Sequence, residues 1–357
     1  MGACFRTVLT ITAAIIFLCS QAHAGQVKNS SQFKLKNETD SLMTNMYSPE
    51  IKLLNISNDE LFRTAMNGTA EDQFQAGMLF GQGQEVERDF TKCIRLLEKS
   101  AKSGNVNASF LLGTIYIKGG SIFEEVKTEI EYGGILIPAE FPYDTSMAFH
   151  YFLISGNRGD TLSRDVCCVI KKQILDAGEN REGAKRMFQS LEAFAKTGNA
   201  LAQRFMAELY SEGKMVKQDD QIAFDLFKAS AEHGDGWSQY NTARKYISGH
   251  GVNRDTKEGF EWMKKAAENN LSVAQFDLAV LYYLGTGTAV DKHLGYVWLV
   301  VAKENGHKEA EALVKEADKE GLTKEEKKAA LDMAAKLLKQ LSAPRDTDKL
   351  LAALKSN

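Results

Sequence analysis

Small and large apolar residues recur along this chain in paired segments that alternate in character. Segments of one kind place small residues such as Ala202, Ala207 and Ala243 at helical spacing and carry an aromatic residue near their end. Segments of the other kind carry bulkier side chains, such as Phe260 and Met263, and end in an alanine-rich stretch. This spacing predicts amphipathic helices, and the alternation predicts that they pair as hairpins.

The pairs repeat with a fixed period. The junctions between them, spaced at 36 residues, are Gly68 and Gly104 and then Gly198, Gly234, Asn270 and Gly306. The positions five, fifteen and twenty-one residues after a junction are mostly Gln, Gly and Asp. A fixed period of roughly 20 to 50 residues indicates a solenoid, in which each unit packs on its neighbours.

The recurring residues have predicted structural roles. The glycine at position fifteen ends the first helix of a pair in a left-handed conformation, and the aspartate at position twenty-one caps the second helix. The glycines Gly249 and Gly251 are predicted to be scaffold, because no strand precedes them and Gly285 and Gly287 repeat them. Asn270 is the usual substitute for glycine at a left-handed junction.

The first residues have the pattern of a signal peptide. Arg6 precedes the apolar run 8–18, and Ala22-His23-Ala24 supplies the small residues that a signal peptidase recognises. Cys19 fits a lipoprotein signal less well, because the residues before it are bulky. The sequence therefore predicts a signal peptide over 1–24 and a periplasmic or secreted mature protein.

Composition and charge narrow the function classes. The chain is 44% hydrophobic and 25% charged, which is usual for a protein that forms a core, and its four prolines favour helix. The net charge of −3 gives no basic excess for nucleic acid or anionic lipid. Outside the leader no apolar run approaches the roughly 20 residues that a stable membrane span needs.

Candidate chemistry is sparse. The histidines follow no metal-ligand spacing, and no catalytic motif stands between a predicted strand and a helix. We therefore expect no enzyme activity, no metal and no cofactor. Cys93, Cys167 and Cys168 are predicted to be small buried hydrophobes, with one disulfide or a reactive thiol as the alternative.

The repeated motifs resemble the Sel1-like repeat, a relative of the tetratricopeptide repeat. The matching stretches are the junction AKTGNALAQ, the turn YISGHGVNRD and the helix end WMKKAAE. The match is close between Gly198 and Gly306, clear between Gly68 and Gly104, and loose elsewhere; the proline often found after G-x-G-V is absent. The resemblance implies an all-α, right-handed α-solenoid of about six hairpins with capping helices at both ends.

The interruptions of the repeat define the predicted organisation. The solenoid is predicted over 58–341, after a loose segment 25–57 and before a tail 342–357 with a short helix. The excess length between Gly104 and Gly159 falls in 120–143, whose residues predict an extended hairpin. Insertions in solenoids often lie on the binding face, with a neutral insertion as the alternative.

The resemblance implies a non-enzymatic scaffold or regulator in the bacterial periplasm that binds a protein partner. The alternative is an immunity protein that neutralises a secreted lipase or toxin. The first helices are expected to line an inner surface whose variable residues set partner choice; ordinary solvated faces are the alternative. The predicted partner-binding residues are Arg204, Glu208, Asn241, Arg244, Lys245 and Asp277 on this surface, and Phe123, Tyr132 and Tyr143 in the insertion.

Individual residues near Gly234 are predicted to lie in different environments. Trp262 and Tyr246 are assigned to the core between helices. His233 and His250 are assigned to turns. Arg244 and Lys245 are assigned to the partner face, so reversal of both charges is expected to leave thermal stability nearly intact.

Overall fold

The computed structural model describes residues 57–83, 86–118, 130–132, 135–138, 144–176, 178, 181–318 and 322–342. The chain divides into two compact units, 1–190 and 191–357, which are described separately. The predicted signal peptide, almost all of the segment 25–57 and nearly the whole tail lie outside the described residues. The all-α solenoid fold predicted from the repeat is confirmed, and both units are built from packed helical hairpins.

The first unit contains a capping helix followed by hairpins. Its elements are α1 (Asn58–Asn67), α2 (Ala70–Gln82), α3 (Phe90–Lys102), α4 (Val106–Lys118), β1 (Ile130–Tyr132), β2 (Ile135–Ile137), α5 (Thr145–Asn157) and α6 (Thr161–Asp176). Helix α2 packs on α3, and α4 packs on α5. The two short strands lie inside the predicted insertion and pair antiparallel, with Tyr132 opposite Ile135.

The second unit holds the most regular part of the repeat. Helix α7 (Glu182–Lys196) contains the boundary between the units, and α8 (Ala200–Glu212), α9 (Asp220–Glu232), α10 (Gly236–Ser248), α11 (Thr256–Glu268), α12 (Ser272–Leu284), α13 (Lys292–Glu304), α14 (Lys308–Ala317) and α15 (Lys324–Ser342) follow. The hairpins are α8–α9, α10–α11 and α12–α13, and α15 packs on α13. Within the described residues, no helix combines the length and apolarity needed to cross a bilayer.

The repeated glycines and aspartates have their predicted roles. Gly213, Gly249 and Gly285 end their helices in the left-handed conformation, with φ of 67°, 82° and 67°. The Asp255 carboxylate accepts hydrogen bonds from the first backbone N–H groups of α11 at 3.0 and 3.1 Å. Asn270 also adopts a left-handed conformation, with φ of 64°. These local choices turn the chain at each end of a hairpin.

An apolar core of alanine, aromatic, valine and leucine side chains extends through the second unit from the end of α9 to α15. Trp262 is buried, as predicted, and packs with Met263 and Trp298 in one apolar cluster. Tyr246 is only half-buried and meets the Phe224 ring edge-on at 5.0 Å, because it lies at the margin of that cluster.

The structure also tests the predictions for the cysteines and for the start of the last helix. Cys93 and Cys167 are buried as predicted, whereas Cys168 is exposed on the outside of α6. At the start of α15, the Thr323 N–H donates to Glu326 at 2.8 Å and the Glu326 N–H donates to the Thr323 hydroxyl at 3.2 Å. This is the capping box that the spacing of the two residues predicts.

Two of the repeated glutamines, Gln239 and Gln275, join the end of one helix to the hairpin that follows. The Gln239 side-chain N–H donates to the Ala231 carbonyl at 3.2 Å, and its Oε1 accepts from the Asn269 amide at 2.5 Å. Because a buried amide is costly unless both of its ends are paired, this arrangement stabilises the hairpin stack as well as specifying its register.

Candidate protein-binding surface

The first helices α8, α10 and α12 carry six of the predicted partner-binding residues, and the structure divides these into buried and accessible groups. Arg204 is 6% exposed, and its guanidinium lies 4.8 Å from the centre of the Phe205 ring. Its Nε lies 3.9 Å from the Asp235 carboxylate. Little of Arg204 is therefore available to a partner, and its main contacts are within the chain.

Lys245 is also buried, at 8% exposed, and its Nζ donates to the Asp220 carboxylate at 2.8 Å. This hydrogen bond holds the pKa of Asp220 below its ordinary value. The assignment of Lys245 to an accessible partner face is wrong, because the side chain is buried. We therefore expect Lys245→Glu to destabilise the fold, since a glutamate there would place a second carboxylate beside Asp220.

The accessible part of this surface is a stripe along α10. Trp237 is 47% exposed, and its ring meets the Tyr240 ring edge-on at 6.0 Å. The exposed Arg244 guanidinium lies 5.6 Å from the centre of the same Tyr240 ring. Asn241 lies between them and donates its side-chain amide to the Trp237 carbonyl at 2.9 Å. Positions 237, 241 and 244 are spaced to fall on one face of a helix.

Asp277 connects this stripe to the next first helix. The Tyr240 hydroxyl donates to its carboxylate at 2.9 Å, which joins α10 to α12. Burial raises the pKa of Asp277, while Tyr240, Arg244 and His307 act in the opposite direction. Burial and the nearby Asp277 charge raise the pKa of Tyr240 to about 12. We call Trp237, Tyr240, Asn241, Arg244 and Asp277 the α10–α12 surface.

Sequence reasoning missed Trp237, the most exposed aromatic residue of this surface. The signal was its position three residues after a junction, where the neighbouring hairpins carry the aliphatic residues Leu201 and Val273. An aromatic residue outside the aromatic positions of the repeat is a departure from the scaffold, and such departures indicate function more than repeated residues do.

The other predicted residues contribute less to the described surface. Glu208 is half-buried on α8. The backbone of Tyr132 lies in β1, whereas Phe123 and Tyr143 lie outside the described residues. His233 and His250 are exposed in turns, as predicted. Among the described residues, no cluster of three or more His, Cys, Asp or Glu side chains is placed to hold a metal ion.

Comparison with known families identifies the repeat. The model of the Sel1 repeat matches residues 70–105, 132–160, 200–235, 238–271 and 272–307. The chain belongs to the Sel1 repeat family. Between residues 132 and 307, the longest stretch that the matches leave out is 161–199. Sel1 repeat proteins generally mediate protein–protein interaction and are typically non-catalytic scaffolds.

Two solved structures show what the chain is similar to. A Sel1 repeat protein from Oxalobacter formigenes is 30% identical, with 37% of this chain and 98% of that chain covered and a TM-score of 0.35. A protective antigen of uropathogenic Escherichia coli with an SLR fold is 19% identical, with 91% of this chain and 79% of that chain covered and a TM-score of 0.36. Comparison with curated proteins gave no match.

Proposed function

We propose that this Sel1 repeat protein is a non-enzymatic scaffold or regulator of the bacterial periplasm that binds a protein partner through the α10–α12 surface and the insertion 120–143. The observation that carries the proposal is the half-exposed indole of Trp237 beside the exposed guanidinium of Arg244. Tryptophan and arginine are the residues that most often dominate binding energy at protein interfaces. The periplasmic location rests on the leader sequence.

The proposed binding surface is tested by affinity capture followed by direct measurement. The purified chain and a Trp237→Ala variant are immobilised, periplasmic extract is passed over both, and a retained protein is identified and purified. Calorimetry then measures its affinity for each chain. We expect Trp237→Ala to weaken binding by at least about tenfold, which corresponds to about 1.4 kcal/mol. Equal affinity for both chains would contradict the role of this surface.

The matched control removes another exposed apolar residue far along the second unit. Leu284 is 68% exposed at the end of α12 and lies outside the α10–α12 surface. Leu284→Ala is expected to leave the affinity unchanged, so a loss in this variant would indicate that exposed apolar area in general is responsible.

The location has its own test. Mass spectrometry of the protein recovered from its host is expected to find a mature chain that begins at Gly25. An intact Met1 in the cytoplasm would contradict periplasmic export while leaving the binding surface untouched. An immunity role against a secreted lipase or toxin stays a prediction from the family resemblance, and a gene for such an effector beside this one would support it.

A further inference from the structure

The charges around the α10–α12 surface are unequally compensated. Lys245 is paired with Asp220 at 2.8 Å, and Arg204 faces Asp235 at 3.9 Å. Arg244 is exposed and has no carboxylate oxygen within 4.0 Å among the described residues. The accessible charge of the stripe is therefore a cation.

Asp277 attracts Arg244 but is not ion-paired with it. Asp277 is half-buried and accepts the Tyr240 hydroxyl at 2.9 Å, so this carboxylate already has a partner within the chain. Arg244 thus presents to solvent a planar set of N–H donors that suits a carboxylate from outside the chain.

The geometry points to a partner segment that presents a carboxylate to Arg244 and an apolar side chain to Trp237; this inference rests on the proposed function and specifies the chemistry of the partner. Charge complementarity selects an acidic group over a basic one, and the half-exposed indole offers apolar area that only an apolar side chain covers without desolvation cost. The occupant is therefore an acidic, partly apolar peptide segment of another protein.

The separation of the two anchors sets the spacing in that segment. Trp237 and Arg244 are seven positions apart on a helix, which is about 10 Å along the axis of α10. In an extended polyproline-type peptide, side chains three residues apart share a face and are about 9 Å apart. The expected motif is therefore a large apolar residue and an Asp or Glu separated by two residues, in either chain direction.

Selection from a random peptide library displayed on phage tests this inference with the purified full chain. Twelve-residue peptides are selected against wild type, Arg244→Gln and Trp237→Ala, and the enriched sequences are read. We expect wild type to enrich Asp or Glu at the predicted spacing from an apolar residue. Arg244→Gln is expected to lose the acidic preference while it keeps the apolar one, and Trp237→Ala is expected to show the reverse loss.

Arg63 provides the matched control, because it is an exposed arginine in the middle of α1. Arg63→Gln is expected to enrich the same peptides as wild type, and circular dichroism checks that all variants are folded. Basic peptides, no enrichment, or an acidic preference retained in Arg244→Gln would each overturn the inference. Peptides that need Trp237 but show no acidic preference would overturn it while leaving the proposed function intact.

Discussion

The hairpin α8–α9 and the two hairpins that follow it share one register, but the hydrogen bonds of their repeated glutamines differ. In α12–α13 the Gln275 Oε1 accepts from the Asn305 amide at 2.9 Å, repeating the Gln239–Asn269 pair of α10–α11. In α8–α9 the equivalent residues are Gln203 and His233. The Gln203 Oε1 is buried without a hydrogen-bond partner among the described residues, and the His233 ring bonds to the Ala229 carbonyl at 2.8 Å.

The turns between helices differ in the same way. In the turns of α10–α11 and α12–α13, a Cβ added at Gly251 or Gly287 would lie only 1.9 or 2.0 Å from a backbone carbonyl oxygen of the preceding hairpin. The corresponding residue in α8–α9 is Met215, with φ of 61°. The contribution of a residue at a repeated position to the free energy of unfolding therefore depends on which groups the neighbouring hairpin places against it. We therefore expect substitutions at these repeated positions to destabilise the protein more in α10–α13 than in α8–α9.

Filling the close approach at Gly251 is expected to destabilise the protein strongly. Gly251→Ala adds a Cβ at 1.9 Å from the Asp220 carbonyl oxygen, so the backbone must shift, at an expected cost of about 2–5 kcal/mol. Gly234→Ala is the matched control, because its φ is also positive but no atom lies within 4 Å of the added Cβ; it should cost about 1–2 kcal/mol. Urea unfolding measures both, and equal losses would contradict the close-packing argument.

A smaller effect follows from removing one side of a Gln–Asn pair. Asn305→Ala leaves the Oε1 of Gln275, a residue that is 0% exposed, without its donor, and the expected loss is about 1–3 kcal/mol. His233→Ala removes the equivalent residue where no such pair exists, so it should change stability by less than about 0.5 kcal/mol. Thermal unfolding followed by circular dichroism measures both losses. A loss in His233→Ala as large as that in Asn305→Ala would contradict the role of the Gln–Asn pair in the second kind of junction.

The Gln–Asn pair that α8–α9 lacks can be built with one substitution. His233→Asn places an amide donor where Asn269 and Asn305 stand in the next hairpins, and it is expected to satisfy the Gln203 Oε1 and stabilise the protein by about 1 kcal/mol. Urea unfolding measures the gain. The same substitution in a Gln203→Leu background has no acceptor to reach, so the gain should disappear there. A gain that persists in that background would show that Asn stabilises the turn by another route.

Much of this fold follows from local rules and could be predicted from the sequence. The glycine and aspartate at Gly249 and Asp255 act within a few residues of themselves, so their spacing alone identifies a helix end and a helix start. The Gln–Asn pairs could be predicted only in part. Gln239 and Asn269 are 30 residues apart, and the recurrence of both shows that they are structural without showing which atoms meet.

The candidate surface was harder to predict because exposure depends on neighbouring helices. The burial of Lys245 had a signal in the register, since the same position holds Leu209 and Leu281, both of which are buried. Reasoning from charge alone assigned Lys245 to the surface. Trp237 had a signal too, because the same position holds Leu201 and Val273 in the neighbouring hairpins. That signal marks a departure from the repeat but does not predict exposure, since the packing of the adjacent helices decides how much of the ring stays uncovered.

Replacing Lys245 by the leucine of the adjacent hairpins is expected to have a small effect at neutral pH. Only the lysine of this pair is buried, and the Asp220 side chain is 42% exposed. Solvent therefore screens the attraction, and the desolvation of the lysine offsets part of the rest, so Lys245→Leu should change stability by less than about 1.5 kcal/mol. Lys245→Glu, which keeps a charge of the wrong sign beside Asp220, should cost about 3–5 kcal/mol and serves as the contrasting variant.

The pH dependence separates the ion pair from simple packing at position 245. Because Lys245 lowers the pKa of Asp220 in the folded state, the pair stabilises the fold above the ordinary carboxyl pKa of 3.8 and loses that contribution as pH falls through the lowered value. Lys245→Leu lacks the contribution at every pH. Urea unfolding at pH 7 and at about pH 3 should therefore show wild type losing stability relative to Lys245→Leu on acidification. A difference that is constant with pH would mean that Lys245 acts through its aliphatic chain, as the leucines of the neighbouring hairpins do.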